Sequence, residues 1–201
     1  MVARHEAHQR VRWTPDRYVW EKRRVLLPES QRRRSGAAER DTGLANADLD
    51  FSARYETVRA GEDLAREFDV PVGTALLQRT YRTRSRRERA PLSLVTSYLR
   101  HDLAAENPAL LDPRNEPWPG GTQHQLHTVG IELDRITDQL TARPPTPQER
   151  EALCLAPGAC VMALRKTSYD TRGRVVELSD VILPADRTEF VYTTSLPPLD
   201  A

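Results

Sequence analysis

The chain has 201 residues, of which 38% are hydrophobic and 29% charged, with a formal net charge of +1 and two cysteines. That length accommodates one domain with a sizeable core plus an extension. No apolar run approaches the length of a membrane span and the first residues contain no signal-like apolar segment, so the chain reads as soluble and cytosolic.

Residues 1–40 hold 11 Arg/Lys against 5 Asp/Glu, so the positive charge is gathered in a leader and the remainder is slightly acidic. A basic leader fits either an anionic neighbour, nucleic acid included, or a solvated linker. Residues 1–50 lack sustained periodicity and are broken at Arg32-Arg33-Arg34-Ser35-Gly36 and Asp41-Thr42-Gly43. They read as an arm or linker, although Trp13, Tyr18, Trp20, Val25, Leu26 and Leu27 are able to pack, and they are too irregular for the three helices of a helix-turn-helix unit.

From Phe51 the pattern becomes globular. A short strand around Tyr55 and Val58 precedes a helix over 62–68 with acids in its first turn, closed by the Asp69-Val70-Pro71-Val72-Gly73 loop. A β-hairpin follows, Leu76–Tyr81 and then Pro91–Tyr98. A short helix near Asp102–Ala105 is stopped by Pro108, and a proline- and glycine-rich loop covers 113–121. Thr122 and Gln125 then have the spacing of a capping box and predict a helix running to Gly130. Residues 131–142 fit a strand or an amphipathic helix, and Thr146-Pro147-Gln148-Glu149 predicts a helix through Leu153. Cys154 and Cys160 flank a tight link and read as reduced core thiols rather than a disulfide or metal site. A second hairpin, Met162–Tyr169 and Val175–Leu183, turns at Asp170-Thr171-Arg172-Gly173. It repeats the first: an apolar run with a cation near its middle, a turn, then a β-branched run. The fold class is α+β, an antiparallel sheet with helices covering one side.

Strand alternation puts Arg79 and Tyr81 on a face with Ala75, Leu77 and Thr83, and puts Glu177 on a face with Val175, Val181 and Leu183. A cation and a carboxylate on apolar faces either line a cavity for a polar ligand or pair with each other. The Gly120-Gly121-Thr122 helix entrance is a second candidate site, with His124 and His127 on the same helix. The two histidines lack a spaced third metal ligand, and the common nucleophile, P-loop, dinucleotide and zinc motifs are missing. No catalytic residue, metal or cofactor is therefore expected.

Taken in order, these segments resemble the effector-binding UTRA domain of GntR-family transcriptional regulators of the HutC type. The matching stretches are Asp63-Leu64-Ala65, Pro71-Val72-Gly73, Leu77-Gln78-Arg79, Pro91-Leu92-Ser93-Leu94, Gly121-Thr122-Gln123-His124-Gln125-Leu126, Leu164-Arg165-Lys166 and Gly173-Arg174-Val175-Val176-Glu177. The resemblance implies a chorismate-lyase-like fold over residues 51–195, preceded by an arginine-rich arm at 1–50 and followed by a tail at 196–201. It implies a pocket for a small-molecule effector lined by Arg79, Tyr81, Thr122, His124 and Glu177, and a homodimer. Operator DNA would be reached only through a winged helix-turn-helix domain, which this chain lacks by truncation, by a misassigned start or because it is a stand-alone sensor. Tyr81, Val95 and Leu183 depart from the sugar-phosphate-sensing pattern and argue against a phosphorylated amino sugar. Two other readings stay open: a lyase on the related fold, using Arg79 and Glu177, and a dimerising modulator of intact regulators.

Overall fold

In the computed structural model, which describes residues 10–196, the basic leader is built of short elements laid against the sheet. They are β1 (Val11–Trp13), α1 (Asp16–Arg24), α2 (Glu29–Arg32) and α3 (Ala37–Thr42). Residues 1–9 of the expected arm and 197–201 of the expected tail lie outside the described residues. The next elements are β2 (Leu49–Arg59), α4 (Glu62–Phe68), β3 (Ala75–Ser85), β4 (Pro91–Arg100), α5 (His101–Ala105) and α6 (Gly121–His127). The last are β5 (Leu133–Arg143), α7 (Pro147–Ala152), β6 (Val161–Asp170), β7 (Val175–Pro184) and β8 (Thr188–Phe190). Six strands form one sheet in the order β2-β3-β4-β7-β6-β5, while β1 pairs in parallel with β8.

Every neighbouring pair in the six-stranded sheet is antiparallel. The repeated hairpins turn out to be parts of a larger repeat: β2-α4-β3-β4 and β5-α7-β6-β7 have the same element order. The halves meet where β4 pairs with β7, Ser97 opposite Ser179. The stretch that fitted two secondary structures, 131–142, is a strand from Leu133 onward, because pairing with β6 satisfies its main chain and suits β-branched Ile136, Thr137 and Thr141.

Helices cover both faces of the sheet, not the single face expected. On one face α4 buries Ala65 and Phe68 against Leu76 and Leu178. Beyond it on that face, Leu153 and Leu155, just past α7, pack with Val161. The other face carries two clusters. Leu77 and Leu99 pack with Leu126 of α6, and Leu164, Val181 and Leu183 pack with Val11 and Trp13 of the arm. The single-face expectation fails because alternating strands give each face its own apolar set, and each set needs a cover.

Two local expectations are also corrected. Thr122 is not a helix N-cap: the cap is Gly120 and α6 ends at His127. Gly120 (φ +99°) and Gly121 (φ +65°) take left-handed conformations open to glycine, which starts the helix before Thr122 and frees Gln125 for another partner. Cys154 and Cys160 are free but exposed rather than core thiols. Leu153, Leu155 and Val161 take the buried positions beside them, which turns each cysteine outward.

The second capping box is present in full. Thr146 accepts from the Glu149 N–H at 3.2 Å and Glu149 accepts from the Thr146 N–H at 2.8 Å. Thr146→Ala should therefore cost about 1 kcal/mol, read by urea denaturation, and an unchanged midpoint would show that the cap contributes nothing.

Candidate functional site

Strand register sets one row of polar side chains across all six strands. Tyr55 lies opposite Arg79, Arg79 opposite Ser97, and Ser97 opposite Ser179. Ser179 lies opposite Lys166, and Lys166 opposite Asp138. By the repeat, Arg79 and Lys166 are equivalent positions on either side of the central Ser97–Ser179 pair. The row runs between the two apolar clusters on its face and interrupts their packing.

Glu177, one pleat along β7, joins the two cations. Arg79 Nη2 donates to Glu177 Oε1 at 3.0 Å and to Ser97 Oγ at 2.8 Å. Lys166 Nζ lies 2.8 Å from Glu177 Oε2. Ser97, Ser168 and Ser179 each donate a hydroxyl to the same carboxylate, at 3.0, 3.0 and 3.2 Å. Arg79 and Glu177 are each only 1% exposed. Burial pushes the Glu177 carboxyl up, but Lys166 and Arg79 outweigh it and bring the pKa down to about 2. Glu177 therefore stays ionised at neutral pH, where it is a fixed acceptor and a poor base.

Arg79 Nη1 donates to Gln125 Oε1 at 2.6 Å, and Gln125 Nε2 passes the contact on to Glu116 Oε1 at 2.8 Å. Glu116 Oε1 also accepts from the hydroxyls of Tyr55 (2.5 Å) and Tyr81 (3.0 Å), while Oε2 accepts from the Trp118 N–H at 2.7 Å. Burial, partly opposed by Arg79, raises the Tyr81 phenol well above its ordinary range and keeps its proton in place. Trp118 Nε1 donates to His124 Nδ1 at 2.8 Å. Burial, reinforced by Arg32 and His127, lowers the His124 pKa, so the ring is neutral at pH 7 with its proton on Nε2.

Above the row is a cavity of about 920 Å³. Four of the five expected site residues (Tyr81, Thr122, His124 and Glu177) line it, together with Lys166, Ser97, Ser179 and Glu116. Arg79 is not part of the wall; it braces Glu177 and Gln125 from behind. A cavity and an ion pair thus coexist: Glu177 lies in the cavity floor, and Arg79 pairs with it from beneath.

The arm supplies the roof. Tyr18 donates its hydroxyl to Asp138 at 2.8–2.9 Å, and Gln123 Nε2 donates to the Tyr18 carbonyl at 2.9 Å. Arg32 Nε donates to the Pro119 carbonyl at 3.0 Å, which ties α2 to the loop holding Glu116. A Cβ on Gly120 would come within 2.8 Å of Arg32 Cδ and His124 Cβ, so that crossing needs glycine.

Sequence reading missed Glu116, Gln125, Lys166, Tyr55 and the roof. The one available signal for Lys166 was the cation repeated in each hairpin. Glu116 sits in a loop without periodicity, and register across hairpins cannot be read from a single strand. Among the described residues, no group of three His, Cys, Asp or Glu side chains is placed to hold a metal ion.

The family model of the UTRA domain matches residues 52–189. The chain belongs to the UTRA domain family. An uncharacterized HTH-type transcriptional regulator of Streptomyces coelicolor is 29% identical over 141 residues, covering 70% of this chain and 51% of the relative. Another from Rhizobium meliloti is 31% identical over 144 residues, with 70% and 55% covered. This UTRA chain spans about half the length of the curated relatives it matches. The effector domain of PhnF from Mycobacterium smegmatis superposes with a TM-score of 0.60 at 21% identity, covering 74% of this chain and 89% of that one. PhnF itself gives 0.66 at 19% identity, with 95% and 74% covered. The α+β fold class with its antiparallel sheet is shared with these two solved structures, and UTRA membership points to a regulatory, effector-binding role. No helix among the described residues is long and apolar enough to cross a membrane.

Proposed function

We propose that this UTRA chain is the small-molecule-sensing part of a GntR-type transcriptional regulator of the HutC kind, acting as a homodimer in the cytoplasm. The observation that carries the reading is the cavity above the Arg79–Glu177–Lys166 floor, walled by Tyr81, Thr122 and His124. A buried polar floor whose charges are paired with one another, beneath a cavity, suits reversible recognition, because it presents oriented hydrogen-bond partners without an unpaired charge. Proton-transfer chemistry fits less well, since a carboxylate with a pKa near 2 neither donates nor withdraws a proton readily at neutral pH.

Signal transfer would follow from the roof. A guest in the cavity touches α6 and the arm together, because residues of both line it. Effector binding then favours one arm arrangement, and the affinity for operator DNA, held by a separate DNA-binding domain, shifts by the same coupling free energy.

A thermal-shift screen of metabolites on the purified chain tests this. A true effector at a hundred times its Kd adds about 2.7 kcal/mol, or roughly 5–10 °C in Tm for a domain of this size. A broad metabolite panel that leaves Tm unmoved at millimolar concentrations would refute the sensing function.

A further inference from the structure

We propose that Glu116 selects the effector, and that this site takes an amine-bearing small molecule with an apolar or aromatic body, not an oxyanion. This rests on the sensing function proposed above. Glu116 faces the cavity, and its four contacts are all neutral donors: the Tyr55 and Tyr81 hydroxyls, the Gln125 amide and the Trp118 N–H. Three of these converge on Oε1 and one on Oε2, so Oε2 carries a single donor and retains acceptor capacity. A carboxylate accepts and does not donate, so a ligand group seated against it must bring an N–H or O–H. An ammonium brings the strongest such bond.

The cations of the wall support the same assignment, because each is already engaged. Lys166 is held by Glu177, Arg17 by Asp41, Arg33 by Glu29 and Arg114 by Asp112. Arg24 and Arg32 are turned onto main-chain carbonyls, those of Gln31, Arg32 and Ser35 for Arg24 and those of Leu27 and Pro119 for Arg32. An incoming phosphate or carboxylate would meet cations whose charge is already met by a carboxylate or whose donors are turned onto carbonyls, and would lie in a cavity that Glu116 also lines. The rest of the wall is rich in rings, with Trp13, Tyr18, Trp20, Phe51, Tyr81 and Trp118 all contributing, which suits a flat apolar body.

Three compounds that share one body and differ in one group make the test: tyramine, tyrosol and 4-hydroxyphenylacetate. Calorimetry on the full chain at pH 7 is expected to rank tyramine first, on the order of tenfold tighter than tyrosol, with 4-hydroxyphenylacetate weakest. Glu116→Gln should compress the amine-to-alcohol ratio to about threefold or less. If that variant does not fold, the wild-type ranking alone decides. Equal or tighter binding of 4-hydroxyphenylacetate, an unchanged preference in the variant, or no binding of tyramine overturns the amine assignment. Anionic metabolites that stabilise the chain while tyramine is inert would overturn it and leave the sensing function standing. Failure of every metabolite would instead remove the sensing function itself.

Discussion

Glu177→Ala is expected to destabilise the chain by about 3–5 kcal/mol, the largest effect of any single polar substitution in the cavity floor. The change strands Arg79 at 1% exposure, and a guanidinium cannot shed its proton to escape. It also removes the acceptor of Lys166 and of three serine hydroxyls. Arg79→Met should cost less, about 1–3 kcal/mol, since Glu177 keeps Lys166 and the serines, and the main loss is the donor to Gln125 and Ser97. Urea denaturation of both variants reads the order directly. A larger loss for Arg79→Met, or losses below about 1 kcal/mol for both, would mean that the floor is not a linked cluster centred on Glu177.

The second large effect appears in acid. The folded-state pKa of Glu177 is about 2, below its ordinary 4.5. Folding therefore favours the ionised form: the contribution is complete above pH 4.5 and disappears as the pH falls through about 2. Its size is on the order of 3 kcal/mol. Other carboxylates also titrate in that range, so the informative quantity is the gap between the wild type and Glu177→Gln. That gap should be wide at neutral pH and close steadily between pH 4.5 and about 2. A gap independent of pH would show that Glu177 is not held ionised by Arg79 and Lys166.

How far the sequence reaches differs between fold and site. The hairpins, α4, α7 with its capping box, and the shared face of Arg79 and Tyr81 were readable because each depends on local periodicity or on a residue spacing of three or four. Glu177 was singled out for the same reason, as a charge on an apolar face. What escaped depends on contacts between segments far apart in the chain. Arg79 and Lys166 meet at one carboxylate only because β4 pairs with β7 and sets Ser97 against Ser179. Glu116 enters from a loop whose path is fixed by Arg32, 87 positions away from the Pro119 carbonyl it holds. The arm looked irregular because its apolar residues follow no sustained period. Its elements gain their order from Tyr18 on Asp138, Trp13 in the cluster with Leu164, and Arg17 between Trp13 and Asp41. Thr122 was misplaced because the capping-box spacing is satisfied by chance whenever a preceding glycine pair starts the helix earlier.

The chain has three tryptophans, and Trp13, Trp20 and Trp118 all line the cavity. Intrinsic fluorescence therefore reports occupancy without any added label. Compounds that raise Tm should be titrated into the native chain while tryptophan emission is followed. Sensing through this cavity predicts a saturable change in emission with the same Kd as calorimetry, and competition among all active compounds. Stabilising compounds that leave the emission of all three tryptophans unchanged would be bound elsewhere, and the cavity would then not be the sensing site.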